Sequence, residues 1–435
     1  MESMDANKGV PQPQSGTAPT SAAWVSRIPF AATPTEKTSL LVSYLMAYLY
    51  VSAFFTVDAT PALKVAEVVF SVLFCAAVEW VYRGEKAGWE SWVWLGCAAV
   101  ILVSILAGRC RAVPTFSMLF YHTYVVYWLL ARSGRLMEGK SGRFLPLDVC
   151  HGFFVFPLSH FFLRVQVLFY REEKSGGKKK AVWPAVGAVV LAAVLFYGAA
   201  TLLGEADGQF RTLTKDLLDW VKLPELPEYG ARLVLSLPVG AYLFGLVLGT
   251  AREKPQKLRE KAGRMAAEAE KLRRVPDSVW NMLLGAFCLL YLLFFVIQGS
   301  YLFGAFTRTL PESFTVSSYA RRGFFELCWV MALNFLLLAA VTVSSRTPAG
   351  QSKSTKGMCT ALLGESFLLA VTAFSKLALY ISCFGFTPLR LESSWLVCVL
   401  AAGCAAAMVW LWNGKKTARP WILFTGVTLA LLHLY

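Results

Sequence analysis

Charge is scarce in this chain, and histidine scarcer. Of 435 residues, 16% are Asp, Glu, Lys or Arg, and four are His. Soluble domains carry roughly 25% charge, so a soluble enzyme is excluded. No GxxxxGK[ST] loop occurs, which excludes an ATP-driven pump within the chain. HExxH and GxSxG are missing too, and no histidine cluster has metal-ligand spacing. The ten cysteines are scattered singly, with no CxxC pair. Most lie in apolar blocks and read as small buried hydrophobes, not as a disulfide frame or zinc site. No cofactor and no metal is expected.

What the chain has is apolar length. Hydrophobic residues make up 56% of it, and mean hydropathy is +0.53. The apolar residues come in blocks of about 20, the length that crosses a bilayer as a helix. Such blocks lie near 38–57, 61–82, 91–108, 112–131, 182–203, 232–251, 279–298, 323–344, 358–380, 394–412 and 420–434. Each must be helical, because unpaired backbone groups are too costly in hydrocarbon. A barrel is excluded, since the blocks do not alternate polar and apolar. The expected fold is therefore all-α and polytopic, with about eleven transmembrane helices and the bilayer as its first partner.

The stretch 145–170 is ambiguous. It is long enough to span, yet it holds Asp148, His151, His160 and Arg164, with Pro157 in the middle. Charge at the bilayer centre costs at least about 2.5 kcal/mol, and proline breaks the helix ladder. The distribution of basic residues decides between the options. With 145–170 not crossing and the N-terminus inside, 29 of the 42 basic residues face inward and 10 outward. If it crossed, either the 132–143 arginines or the run Lys178–Lys180 would face out. Residues 145–170 are therefore expected to be re-entrant or interfacial. The net charge of +15 is then a matter of membrane orientation, and no nucleic-acid partner is expected.

Four parts follow. Residues 1–36 form a disordered cytoplasmic head, rich in Pro, Gln, Ser and Thr and without the apolar core of a cleavable signal peptide. Residues 37–251 are an N-terminal transmembrane half carrying the 145–170 segment. Within 252–278, Leu258, Ala262, Met265, Ala266, Ala269 and Leu272 share one face of a charged cytoplasmic helix over 256–275, bracketed by Pro255 and Pro276. Residues 279–435 are a C-terminal transmembrane half. Outside, 212–223 reads as an interfacial helix.

Charges inside apolar blocks are the sharpest candidates, because they are expensive there. Lys64 and Glu67, three apart, can pair on one helix or snorkel to its end. Asp148 and His151 have the same spacing and could pair, though a lone Asp-x-x-His is a weak signal. Glu365 and Lys376 are eleven apart, which places them within about 20° of one face. At about 16 Å along the axis they are too far apart to pair directly. They would line a polar seam facing the bundle interior. On the outer side, Arg321, Arg322 and Arg390 oppose the inward trend, with Glu326 one turn beyond Arg322. Planar guanidinium groups suit phosphate or carboxylate, so these four residues are candidates for binding an anionic lipid or small anion. The bland reading is contact with lipid phosphate at the end of a span.

The run Tyr319–Leu327 (YARRGFFEL), then Leu379-Tyr380-Ile381 and Gly385–Arg390 (GFTPLR), resembles the uncharacterised bacterial membrane family numbered 4173 among domains of unknown function, with its relative 4153. The likeness is specific over about 300–395. It departs at Val316-Ser317-Ser318, where the family pattern has an acidic residue, and at Phe386, where Leu is usual. The resemblance implies a multi-pass protein of the bacterial plasma membrane and implies no reaction.

Three functions fit. The first is a transporter or permease-like protein handling a small or anionic substrate. The second is a membrane sensor or scaffold coupled to a soluble cytoplasmic partner through the head and the charged helix. The third is an envelope enzyme acting on a lipid-linked phosphate, disfavoured by the lack of a catalytic motif. Polytopic architecture alone does not choose among them.

Overall fold

The computed structural model describes residues 31–55, 61–108, 116–170, 228–307 and 324–435. These are helical, with one isolated bridge between Val275 and Ser345 and no strand among the described residues. Seven helical segments among the described residues are long and apolar enough to cross a membrane: six of the expected blocks and Leu145–Leu168, the segment expected not to cross. The chain is a multi-pass membrane protein. The expected block at 182–203 and the interfacial helix at 212–223 lie outside the described residues, as do residues 1–30 of the head. Four further expected blocks are helices that fall short of a full apolar span. The first, α1 (Pro34–Phe54), is diluted by Lys37, serines and tyrosines, and α2 (Pro61–Val81) carries Lys64, Glu67 and Glu79. The other two, α4 (Ser117–Arg132) and the final helix, have 16 and 15 residues.

The first helix takes in the last three residues of the expected head. Thr33 and Glu36 make a capping box: the Glu36 amide donates to Thr33 Oγ1 at 3.2 Å and the Thr33 amide to Glu36 Oε2 at 2.8 Å. Pro34 sits at the first helical position, where its missing N–H costs nothing. Glu36 is nevertheless buried, because Arg252 Nη2 also donates to its carboxylate at 2.8 Å. Burial alone would push this carboxyl up; the Arg252 and Thr33 hydrogen bonds and the Arg252 charge outweigh it and hold it below its ordinary value. A carboxyl depressed in the folded state stabilises above its unfolded pKa, and that stability is lost as pH falls through the folded value. Glu36→Gln is expected to lower the melting temperature at pH 7, and the gap from wild type should narrow as pH falls below about 4.3, the ordinary glutamate value. A gap that does not change with pH would refute this role for the charge.

The N-terminal module is α1, α2, α3 (Trp89–Leu106) and α4. Arg132 closes the end at which α4 finishes. Its guanidinium donates to both oxygens of Glu79, at 2.8 and 2.9 Å from Nε, and to the carbonyls of Glu85 and Tyr82 at 3.0 and 3.1 Å. Arg135 binds Glu85 and reaches the Glu253 carbonyl at 3.2 Å.

The 145–170 stretch is broken where its polar residues and Pro157 fall. It forms α5 (Leu145–Cys150), a π turn at His151–Val155, α6 (Phe156–Ser159) and α7 (Leu163–Leu168). It packs on α8 (Glu228–Phe244) and the π turn Gly245–Gly249 that continues α8 into α9 (Thr250–Arg252). Gly245 permits this approach, since a Cβ there would sit 2.7 Å from the Pro157 carbonyl oxygen. The pair that the spacing of Asp148 and His151 allows is not made. Asp148 accepts from the Met137 amide at 2.8 Å, while Lys261 meets His151 Nε2 at 3.0 Å. These partners lie on other elements, which the three-residue spacing does not encode. Both ends of the segment lie at one end of the bundle: Asp148 beside Met137, just past α4, and the Tyr170 ring 5.2 Å from Lys37 Nζ at the start of α1. Between them Arg164 reaches inward to the Leu237 carbonyl at 3.2 Å and stacks on Tyr44 at 3.6 Å.

The charged helix α10 (Pro255–Lys271) buries Leu258 and Ala262. It ends before Leu272, which is exposed. The chain leaves the helix there because the Arg274 and Val275 amides donate to the Ser344 carbonyl, at 3.1 and 3.0 Å. The C-terminal bundle is α11 (Asp277–Thr307), α12 (Phe324–Ser344), α13 (Lys353–Phe384) and α14 (Pro388–Asn413). Helix α13 packs on the other three. It outruns its apolar block at both ends, from the Ser352 cap to Gly385 at φ 78°. The last helix, α15 (Ala418–Leu432), leaves this bundle and packs on α3, where the Tyr124 hydroxyl donates to the Gly426 carbonyl at 2.6 Å.

Candidate functional site

The C-terminal bundle contains two polar stations within apolar helices. The first joins three helices. The Tyr291 hydroxyl of α11 donates to Asn334 Oδ1 of α12 at 2.8 Å, and Asn334 Nδ2 donates to Ser366 Oγ of α13 at 2.8 Å. Asn334 and Ser366 are fully buried. Ser366 passes the chain on to the Leu362 carbonyl at 2.7 Å. In hydrocarbon such contacts draw helices together, since no water competes for them. Glu365 neighbours Ser366 on α13 and faces α11, beside the Cys288 thiol. Its Oε2 is buried and has no hydrogen-bond partner among the described residues.

The second station is Lys376, only 1% exposed. Its electrostatic partner is Glu326, near the start of α12. Eleven residues of helix put the stations about 16 Å apart. Between them lies a layer of fully buried apolar residues, including Met331, Leu369, Ala370 and Ala373. Glu365 and Lys376 thus address different neighbours, α11 and α12, with an apolar layer dividing the seam.

The four anion candidates are not all in view. Arg321 and Arg322 lie outside the described residues, and so does any approach of either to Arg390. Arg390 itself is engaged: it binds the carbonyls of Phe384, at 2.9 Å, and Gly385, and lies 4.1 Å from the Tyr380 ring centroid. A cation there complements the unsatisfied carbonyls at the C-terminus of α13. This is the GFTPLR turn of the sequence, and YARRGFFEL leads into α12. Residues 40–435 match the family described as a domain of unknown function, DUF4153. The chain belongs to that family. DUF4153 is the relative named from the sequence, and its match covers both modules and α15. No curated protein and no solved structure matches the chain.

Within this DUF4153 chain, sequence reasoning passed over Tyr291, Asn334 and Ser366. Asn334 had a visible signal, an amide in the middle of an otherwise apolar block. Tyr291 and Ser366 had none, because both residue types are common in spans as lone side chains. An open groove of about 630 Å³ on α13 and α14, lined by residues such as Phe374, Leu379 and Val397, is mostly apolar, with Ser375 and Ser382 in its wall.

Proposed function

We propose that this DUF4153 protein is permease-like and moves a small solute, an anion included, through its C-terminal bundle. The reading rests chiefly on Glu365, which holds a buried, unpartnered carboxylate oxygen about 18 Å along a helix of about 48 Å. An ionisable group at that depth is costly, and such groups mark ion and proton pathways by default. Glu365 carries the exchangeable proton, and the Tyr291–Asn334–Ser366 chain fixes the helices around it. The apolar layer between Glu365 and Lys376 is the barrier that a transport cycle opens.

The same reading includes eleven crossings, a plasma-membrane location and a cytoplasmic N-terminus. Residues 145–170 enter and leave on the inner side, which is supported by the two ends lying together. A second reading, a scaffold for a soluble partner, is favoured by the exposed charged face of α10, where Arg264 and Glu268 are largely in solvent.

The test is uptake. Proteoliposomes are given an inward proton gradient and a mixture of isotope-labelled amino acids, organic acids, sugars and phosphate. Accumulated solutes are read by mass spectrometry and internal pH by an entrapped dye. One solute class should accumulate with proton entry, and Glu365→Gln should abolish both while the melting temperature is kept. Neither accumulation nor proton entry above empty liposomes would overturn the transport reading.

A further inference from the structure

The opposite end of the N-terminal module holds a second buried acid. Glu67 is 6% exposed and lines a half-open cavity of about 480 Å³ between α1, α2, α3 and α4. The i,i+3 pair expected with Lys64 is not made, because Lys64 Nζ donates instead to the Leu106 carbonyl at 2.7 Å, where α3 ends. Other donors near the cavity are also committed. The His122 ring donates from Nδ1 to the Met118 carbonyl at 2.7 Å and accepts at Nε2 from the Tyr50 hydroxyl at 3.0 Å. The Tyr121 and Ser71 hydroxyls meet at 2.6 Å, and Ser71 bonds the Glu67 backbone carbonyl. Among the described residues no side chain hydrogen-bonds or ion-pairs with the Glu67 carboxylate. Lys64 acts on this carboxylate only as a nearby charge, without a hydrogen bond, and a buried carboxylate without a direct partner among the described residues favours a further cation or donor.

The walls name the kind of cation. Tyr50, Phe54 and His122 form one aromatic cluster, with ring centroids 4.9 to 5.8 Å apart, and Phe55 completes the rim. Aromatic faces beside a carboxylate suit an organic ammonium group, which gains from the ring quadrupoles what a small hydrated metal ion would not. The volume is that of a small-molecule site. We propose that Glu67, Tyr50, Phe54, Phe55 and His122 form a binding site for an ammonium group, with Glu67 as its counter-ion. Lys64, exposed at the mouth, is placed to meet the anionic part of a zwitterion. The ammonium can belong to a free amine or to a phospholipid headgroup. The site lies in a different module from Glu365 and does not rest on the transport reading.

The experiment uses the full chain in detergent, titrated calorimetrically with tetramethylammonium and with ethanolamine. In parallel, native mass spectrometry compares retention of phosphatidylethanolamine and phosphatidylglycerol. Glu67→Gln is expected to weaken amine binding at least about tenfold. Its melting temperature should be no lower than wild type, since the change removes an unpaired buried charge. Phe55→Ala, at an exposed position that leaves the core intact, should weaken tetramethylammonium several-fold. Glu268→Gln, on α10, should change nothing. Saturable binding of the free amines, lost in Glu67→Gln, supports a soluble ligand. Selective retention of phosphatidylethanolamine, lost in the same variant, supports the headgroup. Binding of neither, or binding indifferent to both Glu67→Gln and Phe55→Ala, overturns the proposal.

Discussion

Arg132→Leu is expected to be the most destabilising single substitution at the Arg132 end of the N-terminal module, by about 3 kcal/mol. Arg132 is 5% exposed and satisfies three separate groups: the Glu79 carboxylate and the carbonyls of Tyr82 and Glu85. Removing one partner of such a pair strands the others, which costs more than the pair contributes. The effect falls at the lower end of the usual 3–5 kcal/mol range because Glu79 is 37% exposed and can recover water. The Tyr82 carbonyl is buried and keeps only the Glu85 amide, and losing a partner at a buried group costs about 1–3 kcal/mol. Arg132→Lys should recover only part, because an ammonium cannot span a bidentate carboxylate and two carbonyls together. Glu79→Leu made alongside Arg132→Leu should recover part as well, since it removes the stranded charge. Melting of the purified single and double variants checks this. Additive losses in the double variant would show that the two residues do not act as a pair.

The second large effect concerns the junction between modules. Gly426→Leu is expected to release α15 from α3. A Cβ at this position would lie 2.4 Å from Cζ3 of Trp94, whose side chain is itself buried. Neither helix can yield without moving backbone, and overpacking of this kind costs about 1–3 kcal/mol. The Tyr124 hydroxyl loses the Gly426 carbonyl, and the Arg419–Glu90 ion pair at the starts of α15 and α3 loses its geometry. Trypsin provides the readout, because Lys415 and Lys416 lie between α14 and α15. Cleavage of a transiently opened site follows the population of the open form, so a shift of about 1.4 kcal/mol should accelerate it about tenfold. Gly426→Ala should act in the same direction. Wild-type resistance to trypsin in Gly426→Leu would mean that α15 is held by other contacts.

The chain's membrane character and the approximate places of its helices follow from apolar runs of bilayer length. That inference is local and needs only the solvent to be named. Family membership was legible for a similar reason, since YARRGFFEL and GFTPLR are contiguous in sequence. The helix ends were legible only in part. Apolar blocks understate α13, because a capped helix continues past the hydrocarbon wherever Ser352 and Gly385 allow it. Partner choice was not legible at all. Spacing places Glu365 and Lys376 on one face, but it does not say that α11 covers one and α12 the other. Likewise it puts Lys64 near Glu67 and cannot show that the Leu106 carbonyl, 42 residues away, takes the lysine instead. The docking of α15 on α3 joins Gly426 to Tyr124 across 302 residues. Helix periodicity reports the direction a side chain leaves its own axis; which neighbour stands there is set by the packing of the whole bundle, and in this protein that packing decides which buried charges are matched and which are left for a ligand or a proton.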